Sequence, residues 1–132
     1  MTETQPNGEA PPIRILIVED NVEAADLLYD LLSMHGYVVE VEHDGPSGLA
    51  RATTFKPRVG ILDIGLPEMN GYELARRMRE LPDLNPLLLI AITGYGQEED
   101  RRRSTAAGFD LHLVKPAALG ELFAALKAVH RG

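Results

Sequence analysis

The stretch Ile13-Arg14-Ile15-Leu16-Ile17-Val18-Glu19-Asp20-Asn21 decides the fold. Its first part, Ile13 to Val18, is mostly apolar and β-branched, which predicts a short strand buried on both faces of a sheet. Asn21 is a favourable N-cap, and apolar residues then recur at helical spacing as far as His35. Gly36 follows in the position that glycine commonly takes after a helix. The stretch therefore predicts one strand–helix unit.

The same alternation recurs along the rest of the chain. Further strands are predicted at residues 38–41, 59–64, 87–92 and 111–114, and further helices at 46–54, 71–81, 97–107 and 119–129. Five strand–helix units in one domain predict an α/β fold, with a parallel sheet covered by helices on both faces. Residues 1–12 are polar and lack periodicity, so we expect a disordered tail followed by one domain over residues 13–130.

Composition and charge narrow the possible functions. The 132 residues include no cysteine, which excludes disulfide scaffolds, cysteine zinc sites and thiol nucleophiles. The longest apolar run, 87–92, is far shorter than the roughly 20 residues that span a bilayer, and the polar tail does not resemble a signal peptide. We therefore expect a cytoplasmic protein without a membrane partner. The net charge of −7 argues against general electrostatic binding of nucleic acid.

Complementary polar residues follow four of the five predicted strands. They are Glu19 and Asp20 after the first, Asp63 after the third, Thr93 and Gly94 after the fourth, and Lys115 and Pro116 after the fifth. Because the carboxyl ends of parallel strands meet at one edge, these residues are expected to converge there. Three close carboxylates repel one another unless a cation neutralises them, and Mg²⁺ prefers such oxygen ligands. With a lysine and a threonine, the set predicts a phosphoryl site in which an aspartate is the nucleophile.

Each of these residues also has a simpler structural interpretation. A single Asp after a strand is usually a turn or cap residue, and an acidic pair before a helix commonly complements the helix dipole. A Lys-Pro pair after a strand is commonly a surface turn. The presence of complementary groups at four separate strand ends favours the functional interpretation.

The ordered motifs resemble the receiver domain of two-component response regulators, the chemotaxis-regulator-like fold. The matching stretches are ILIVEDN at 15–21, ILDIGLPEMNG at 61–71, IAITG at 90–94 and LVKP at 113–116. The likeness covers about residues 13–130 and implies a doubly wound, flavodoxin-like sheet of strand order 2-1-3-4-5 with five helices. Residues 93–103 also resemble receivers attached to hybrid sensor histidine kinases.

The resemblance implies a role for each matching position. Asp63 would accept a phosphoryl group from a phosphohistidine of a histidine kinase or histidine phosphotransfer domain. Asp20 and Asp63 would bind Mg²⁺ directly, Glu19 would bind it through a water, and the backbone carbonyl of Gly65 would complete the metal site. Lys115 would pair with the phosphoryl oxygens.

The resemblance also implies a switch. Thr93 would hydrogen-bond to the phosphoryl group and shift toward it, Gly94 would leave room beside it, and the Lys115–Pro116 peptide would be cis. His112 stands where the family usually has Tyr or Phe as the second switch residue. A histidine there would make the switch sensitive to pH, and the alternative is a histidine packed at a strand edge.

Three further features bear on this interpretation. Glu19 replaces the commoner Asp, and Asn70 is interpreted as a turn residue. The basic run Arg101-Arg102-Arg103 is better explained by i,i+4 pairing with Glu98 and Glu99 on a solvated helix than by nucleic-acid binding. That helix is a candidate docking surface for an output partner that the sequence does not identify.

Gly65 and Tyr95 stand two residues after the predicted phosphoacceptor and the threonine, respectively. The resemblance implies that these positions flank the path of an attacking water. They are therefore predicted to set the lifetime of the phosphorylated state.

Two other functions remain open at this point. A phosphatase of the haloacid-dehalogenase type uses the same chemical groups, but it places an Asp-x-Asp motif after its first strand, where this chain has Glu19-Asp20-Asn21. A flavodoxin-like flavin binder would need a Ser/Thr-rich phosphate loop at the same place. The expectation is a stoichiometric phosphoacceptor with slow self-dephosphorylation rather than an enzyme, either as a single-domain regulator or as the receiver of a hybrid kinase.

Overall fold

The computed structural model describes residues 11–84, 86–94, 98–114 and 119–131, without the side chains of 98–101 and 130–131. Strands and helices alternate throughout. In chain order they are β1 (Arg14–Val18), α1 (Val22–Met34), β2 (Val38–Glu42), α2 (Gly45–Phe55), β3 (Val59–Asp63), α3 (Gly71–Glu80), β4 (Leu88–Thr93), α4 (Glu98–Ala107), β5 (Leu111–Val114) and α5 (Leu119–Arg131). Every predicted element is present, and its boundaries differ from the prediction by no more than two residues.

The five strands form one parallel sheet of order β2-β1-β3-β4-β5. This confirms the α/β, doubly wound fold and the strand order implied by the resemblance. The order reverses between β1 and β3, which are direct neighbours with Val18 opposite Leu62. In open sheets of this kind, sites form beyond the carboxyl ends of the strands at such a reversal.

The sheet separates two hydrophobic clusters. Leu16, Leu62 and Leu89 face the layer of α2, α3 and α4, whereas Ile15 and Ile61 face the layer of α1 and α5. Because adjacent strand residues point to opposite faces, a strand covered on both sides must be apolar at nearly every position. This explains the continuous apolar runs in the sequence.

Local signals in the sequence explain where several helices begin and end. The side chain of Asn21 accepts a hydrogen bond from the Ala24 N–H at 2.9 Å, which caps α1. Asn70, interpreted from the sequence as a turn residue, caps α3 in the same way by accepting from the Glu73 N–H at 3.0 Å. Gly36 and Gly108 follow α1 and α4 with φ of +91° and +105°, values that glycine adopts readily.

No helix among the described residues has both the length and the apolar character needed to cross a membrane.

Candidate functional site

Three acidic side chains converge at the carboxyl ends of β1 and β3. Glu19 and Asp20 directly follow β1, and Asp63 is the last residue of β3, the neighbouring strand. One carboxylate oxygen of each residue lies within 4.8 Å of those of the other two. Glu19 and Asp63 are buried and Asp20 is exposed, so the cluster is open to solvent on one side. The structure therefore brings these three predicted residues together.

Backbone contacts hold Glu19 in place. The Asn21 N–H donates to the Glu19 carboxylate at 3.0 Å, and the Glu19 N–H donates to the carbonyl of Glu42 at 3.0 Å. The ring Nδ1 of His43 lies 2.8 Å from the Glu19 carbonyl oxygen. Since a carbonyl oxygen can only accept, His43 carries its proton on Nδ1 in this contact.

His43 is exposed, as expected for a surface residue, but its contribution to the site was not predicted. It follows β2, and the only signal for it was its position at the end of that strand. The end of β2 was the one strand end that did not fit the predicted set.

The loop after β3 orients Asp63. The Gly65 N–H donates to the Asp63 carboxylate at 3.0 Å, which places the predicted carbonyl ligand next to the predicted phosphoacceptor. Gly71 closes the loop by donating its N–H to the Ile64 carbonyl at 3.0 Å. A Cβ at Gly71 would lie 2.5 Å from the Asp63 carbonyl oxygen, so only glycine permits this close approach.

Thr93 and Gly94 lie at the end of β4, beside β3, with Asp63 opposite Ile92 in the register. Thr93 is buried and Gly94 is exposed. A Cβ added at Gly94 would meet no atom within 4 Å among the described residues.

Several predicted residues lie outside the described residues. These are Lys115, the Lys115–Pro116 peptide and Tyr95. The last described residue of β5, Val114, lies opposite Thr93 in the register. The expected pairs of Glu98 and Glu99 with the arginines of α4 also involve side chains outside the description. The guanidinium of Arg103 lies 4.3 Å from the centre of the Tyr72 ring, which joins α4 to α3.

His112 is half-buried on β5, opposite Ala91 of β4. Its Nδ1 lies 2.8 Å from the hydroxyl oxygen of Ser104 on α4. Its Nε2 is buried and has no hydrogen-bond partner in the part of the chain that the structure describes. The ring therefore lies beneath α4, and its polar contact there is with a residue that was not predicted from the sequence.

The chemistry of the acidic cluster fits a divalent cation. Three carboxylates offer hard oxygen ligands, their mutual repulsion favours a bound cation, and the exposed side leaves space for metal-bound water. Mg²⁺ retains several waters and uses few protein carboxylates, which matches this partly open arrangement.

Comparison with known proteins places the chain among signalling domains. The family model of the response regulator receiver domain matches residues 15–127. Chemotaxis protein CheY4 of Vibrio cholerae superposes with a TM-score of 0.83 at 27% identity, over 89% of this chain and 98% of that chain.

Two sequence relatives agree with this assignment. An uncharacterized 14.6 kDa protein of Leptolyngbya boryana is 38% identical over 102 residues, which are 77% of this chain and 78% of that protein. The transcriptional regulatory protein TrcR of Mycobacterium tuberculosis is 36% identical over 124 residues, which are 94% of this chain and 48% of that protein. The chain thus spans about half the length of this regulator.

Proposed function

Because this chain belongs to the response regulator receiver domain family, we propose that Asp63 accepts a phosphoryl group from a phosphohistidine, with Mg²⁺ bound by Glu19, Asp20 and Asp63. The donor is a histidine kinase or a histidine phosphotransfer domain, the partners with which receivers of this family interact. The observation that supports the proposal is the convergence of the three carboxylates within 4.8 Å at the strand-order reversal.

The transfer forms one bond and breaks one. A carboxylate oxygen of Asp63 attacks the phosphorus, the N–P bond of the phosphohistidine breaks, and its electron pair returns to the imidazole nitrogen. Bound Mg²⁺ supplies positive charge that offsets the negative charge on the phosphoryl oxygens. The chain's own part is positioning, because the Gly65 N–H donates to the Asp63 carboxylate and restricts its rotation.

The remaining site residues have supporting roles in the proposal. Asp20 would bind the metal directly, Glu19 would bind it through a water, and the Gly65 carbonyl would complete the set. Lys115 pairs with the phosphoryl oxygens and Thr93 donates its hydroxyl to one of them. The position of Thr93 at the end of β4, beside Asp63 at the end of β3, supports this role.

Receiver domains are phosphoacceptors rather than enzymes in the usual sense. We propose that hydrolysis of phospho-Asp63 is slow and that Gly65 and Tyr95 set its rate. We also propose that movement of Thr93 and His112 transmits the modified state to α4, where an output partner docks. The receiver acts in the cytoplasm, without a membrane partner, either alone or as part of a longer chain such as a hybrid kinase.

We propose that this domain does not itself bind nucleic acid. The relative TrcR is a transcriptional regulatory protein, and the chain matches only about half of it. The net charge of −7 argues that the receiver makes no general contact with a phosphate backbone.

The test is transfer from a small phosphoryl donor to the full chain. Incubation with Mg²⁺ and phosphoramidate or acetyl phosphate is expected to add one phosphoryl group to the intact mass. The gain should vanish in Asp63→Asn and on chelation of the metal, and it should persist in the matched control Asp26→Asn, an exposed residue of α1. Labelling that survives in Asp63→Asn would contradict the proposal.

The same preparation tests the phosphatase alternative, which the comparisons do not favour. Steady turnover of a generic phosphate ester would support an enzyme. Stoichiometric labelling without such turnover would support the phosphoacceptor.

A further inference from the structure

A buried hydrogen bond joins α4 to the edge strand of the sheet. Ser104 of α4 is 1% exposed, and its hydroxyl oxygen lies 2.8 Å from Nδ1 of His112 on β5. Buried polar groups generally require such a partner, because an unpaired hydroxyl in an apolar layer is costly. The partner here is the residue at the family's aromatic switch position, so the contact deepens the proposed function and depends on it.

The two nitrogens of the His112 ring have different surroundings. Nδ1 has its bond to Ser104, whereas Nε2 is buried without a partner among the described residues. A neutral imidazole has one donor and one acceptor nitrogen, so this ring satisfies one of them and leaves the other without a partner in the described part of the chain. Its position under α4 therefore gains one hydrogen bond and loses the hydration of Nε2. An outward position would return water to Nε2 but would leave the buried Ser104 hydroxyl without this bond.

The register places this ring on the same face of the sheet as Thr93. His112 lies opposite Ala91, and Thr93 is two residues beyond Ala91 on β4. Because strand side chains alternate between faces, Ala91 and Thr93 point to the same side, toward the layer of α2, α3 and α4. A shift of Thr93 toward a phosphoryl group would change the space on this face beside the ring that Ser104 contacts.

We propose that Ser104 is a positioning residue that holds His112 inward under α4 and thereby couples the phosphoacceptor site to the position of that helix. The hydroxyl belongs to the helix and the imidazole to the strand, so neither can move far without breaking their bond. Ser104 itself touches no reacting atom in this proposal and acts only through His112.

A double-mutant cycle separates this coupling from simple packing. In the wild-type background, Ser104→Ala is expected to slow phosphoryl gain from phosphoramidate about two- to tenfold, the range that corresponds to the loss of one hydrogen bond. In a His112→Phe background, which has no ring nitrogen to bind, Ser104→Ala should change the rate less than about twofold. Ser33→Ala, which removes an exposed serine hydroxyl from α1, is the matched control and should leave the wild-type rate unchanged. An equal slowing by Ser104→Ala in both backgrounds would overturn the proposal.

A second readout does not depend on phosphorylation. In the full chain labelled with ¹⁵N-histidine at about pH 8.5, where histidine is ordinarily neutral, the ring nitrogens of His112 should show one dominant tautomer. Ser104→Ala should shift these resonances toward a mixture of tautomers, and Ser104→Cys, which keeps a weak donor of similar size, should lie between them. Identical resonances in wild type and Ser104→Ala would contradict the claim that the Ser104 hydroxyl bonds to His112 and orients its ring.

The two readouts also separate this proposal from the proposed function. If the wild-type chain takes up no phosphoryl group, the phosphoacceptor function fails, and with it the coupling. The resonances would still decide whether Ser104 orients the ring. If phosphoryl uptake occurs but the cycle is additive, the function stands and only the role of Ser104 is wrong.

Discussion

At the carboxyl edge of the sheet three carboxylates crowd within 4.8 Å of one another, whereas at the amino edge two arginines bind backbone carbonyls. Arg14 donates to the carbonyls of Phe55 and Lys56 at the end of α2. The first edge concentrates like charges that repel, and the second pairs each guanidinium with acceptors.

Arg79, at the end of α3, makes most of the arginine contacts at the amino edge of the sheet. Its guanidinium donates to the carbonyls of Leu87 and Gly108 and to the carboxylate of Asp110, at 2.6 to 3.0 Å. Asp110 in turn accepts from the Leu89 N–H at 2.9 Å. One side chain thus joins α3, the start of β4 and the turn before β5. The comparison teaches that these two arginines make their contacts with backbone carbonyls at the edge of the sheet opposite the acidic cluster.

The largest effect is expected where the carboxyl edge depends on close packing. Gly71→Ala would place a Cβ 2.5 Å from the Asp63 carbonyl oxygen and should lower the free energy of unfolding by about 3 kcal/mol. It should also slow phosphoryl gain, because the loop that orients Asp63 must shift. Gly120→Ala on α5 is the control, since its Cβ meets no described atom within 4 Å, and it should stabilise the helix by about 0.5 kcal/mol. Urea denaturation measures both, and equal effects would contradict the argument.

At the amino edge, Arg79→Ala should lower the free energy of unfolding by about 2 kcal/mol, because it leaves two carbonyls and a carboxylate without their charged donor. Phosphoryl gain at Asp63 should remain close to wild type, which would separate stability from function. The control is Arg76→Ala on the same helix. Its exposed pair with Glu73 is worth about 0.3 kcal/mol. If Arg79→Ala lost phosphoryl gain at Asp63 while its free energy of unfolding stayed unchanged, the separation of a stabilising amino edge from a reactive carboxyl edge would be wrong.

Because the three carboxylates repel one another, neutralising one of them is expected to increase stability, whereas the two preceding substitutions decrease it. Without divalent cation, Asp20→Asn should raise the free energy of unfolding by about 0.5 kcal/mol, because one of three close charges is removed. Mg²⁺ at ten times its Kd should stabilise the wild type by about 1.4 kcal/mol, and the variant should gain much less. Thermal denaturation with and without Mg²⁺ measures both quantities. An equal gain in the two proteins would exclude Asp20 as a ligand.

The smallest effect concerns pH and Asp44, which caps α2 near the site edge. The backbone N–H of Ser47, and then its hydroxyl, donate hydrogen bonds that lower the pKa of the Asp44 carboxyl below its usual value. A folded-state pKa below that of the unfolded chain adds stability above the unfolded value of about 3.9, and this stability is lost as the pH falls through the folded value. Denaturation of wild type and Asp44→Asn should therefore differ by a constant amount above about pH 5 and converge in acid. A difference that grows as the pH falls would contradict this assignment.

Much of the candidate site could be predicted because the sequence pattern indicated where each strand ends. Continuous apolar runs indicated the strands, and the polar residues at their carboxyl ends, such as Glu19, Asp20 and Asp63, therefore lay at a common edge. Ser104 was not predicted, because a serine in a polar helix has no pattern that distinguishes a buried hydroxyl from an exposed one. The contacts of Arg79 were not predicted either, because its acceptors lie up to 31 residues away in the chain and no local pattern indicates them.

By itself the sequence determined the succession of strands and helices, since hydrophobic periodicity and caps act over a few neighbouring residues. It also determined which residues end each strand, and hence the acids that would meet if the strands were parallel. Only the tertiary structure decided that His112 turns under α4 toward Ser104, that His43 supports Glu19, and that one arginine joins three elements. These contacts join residues brought together by packing, and their geometry depends on how the layers come together rather than on any local pattern.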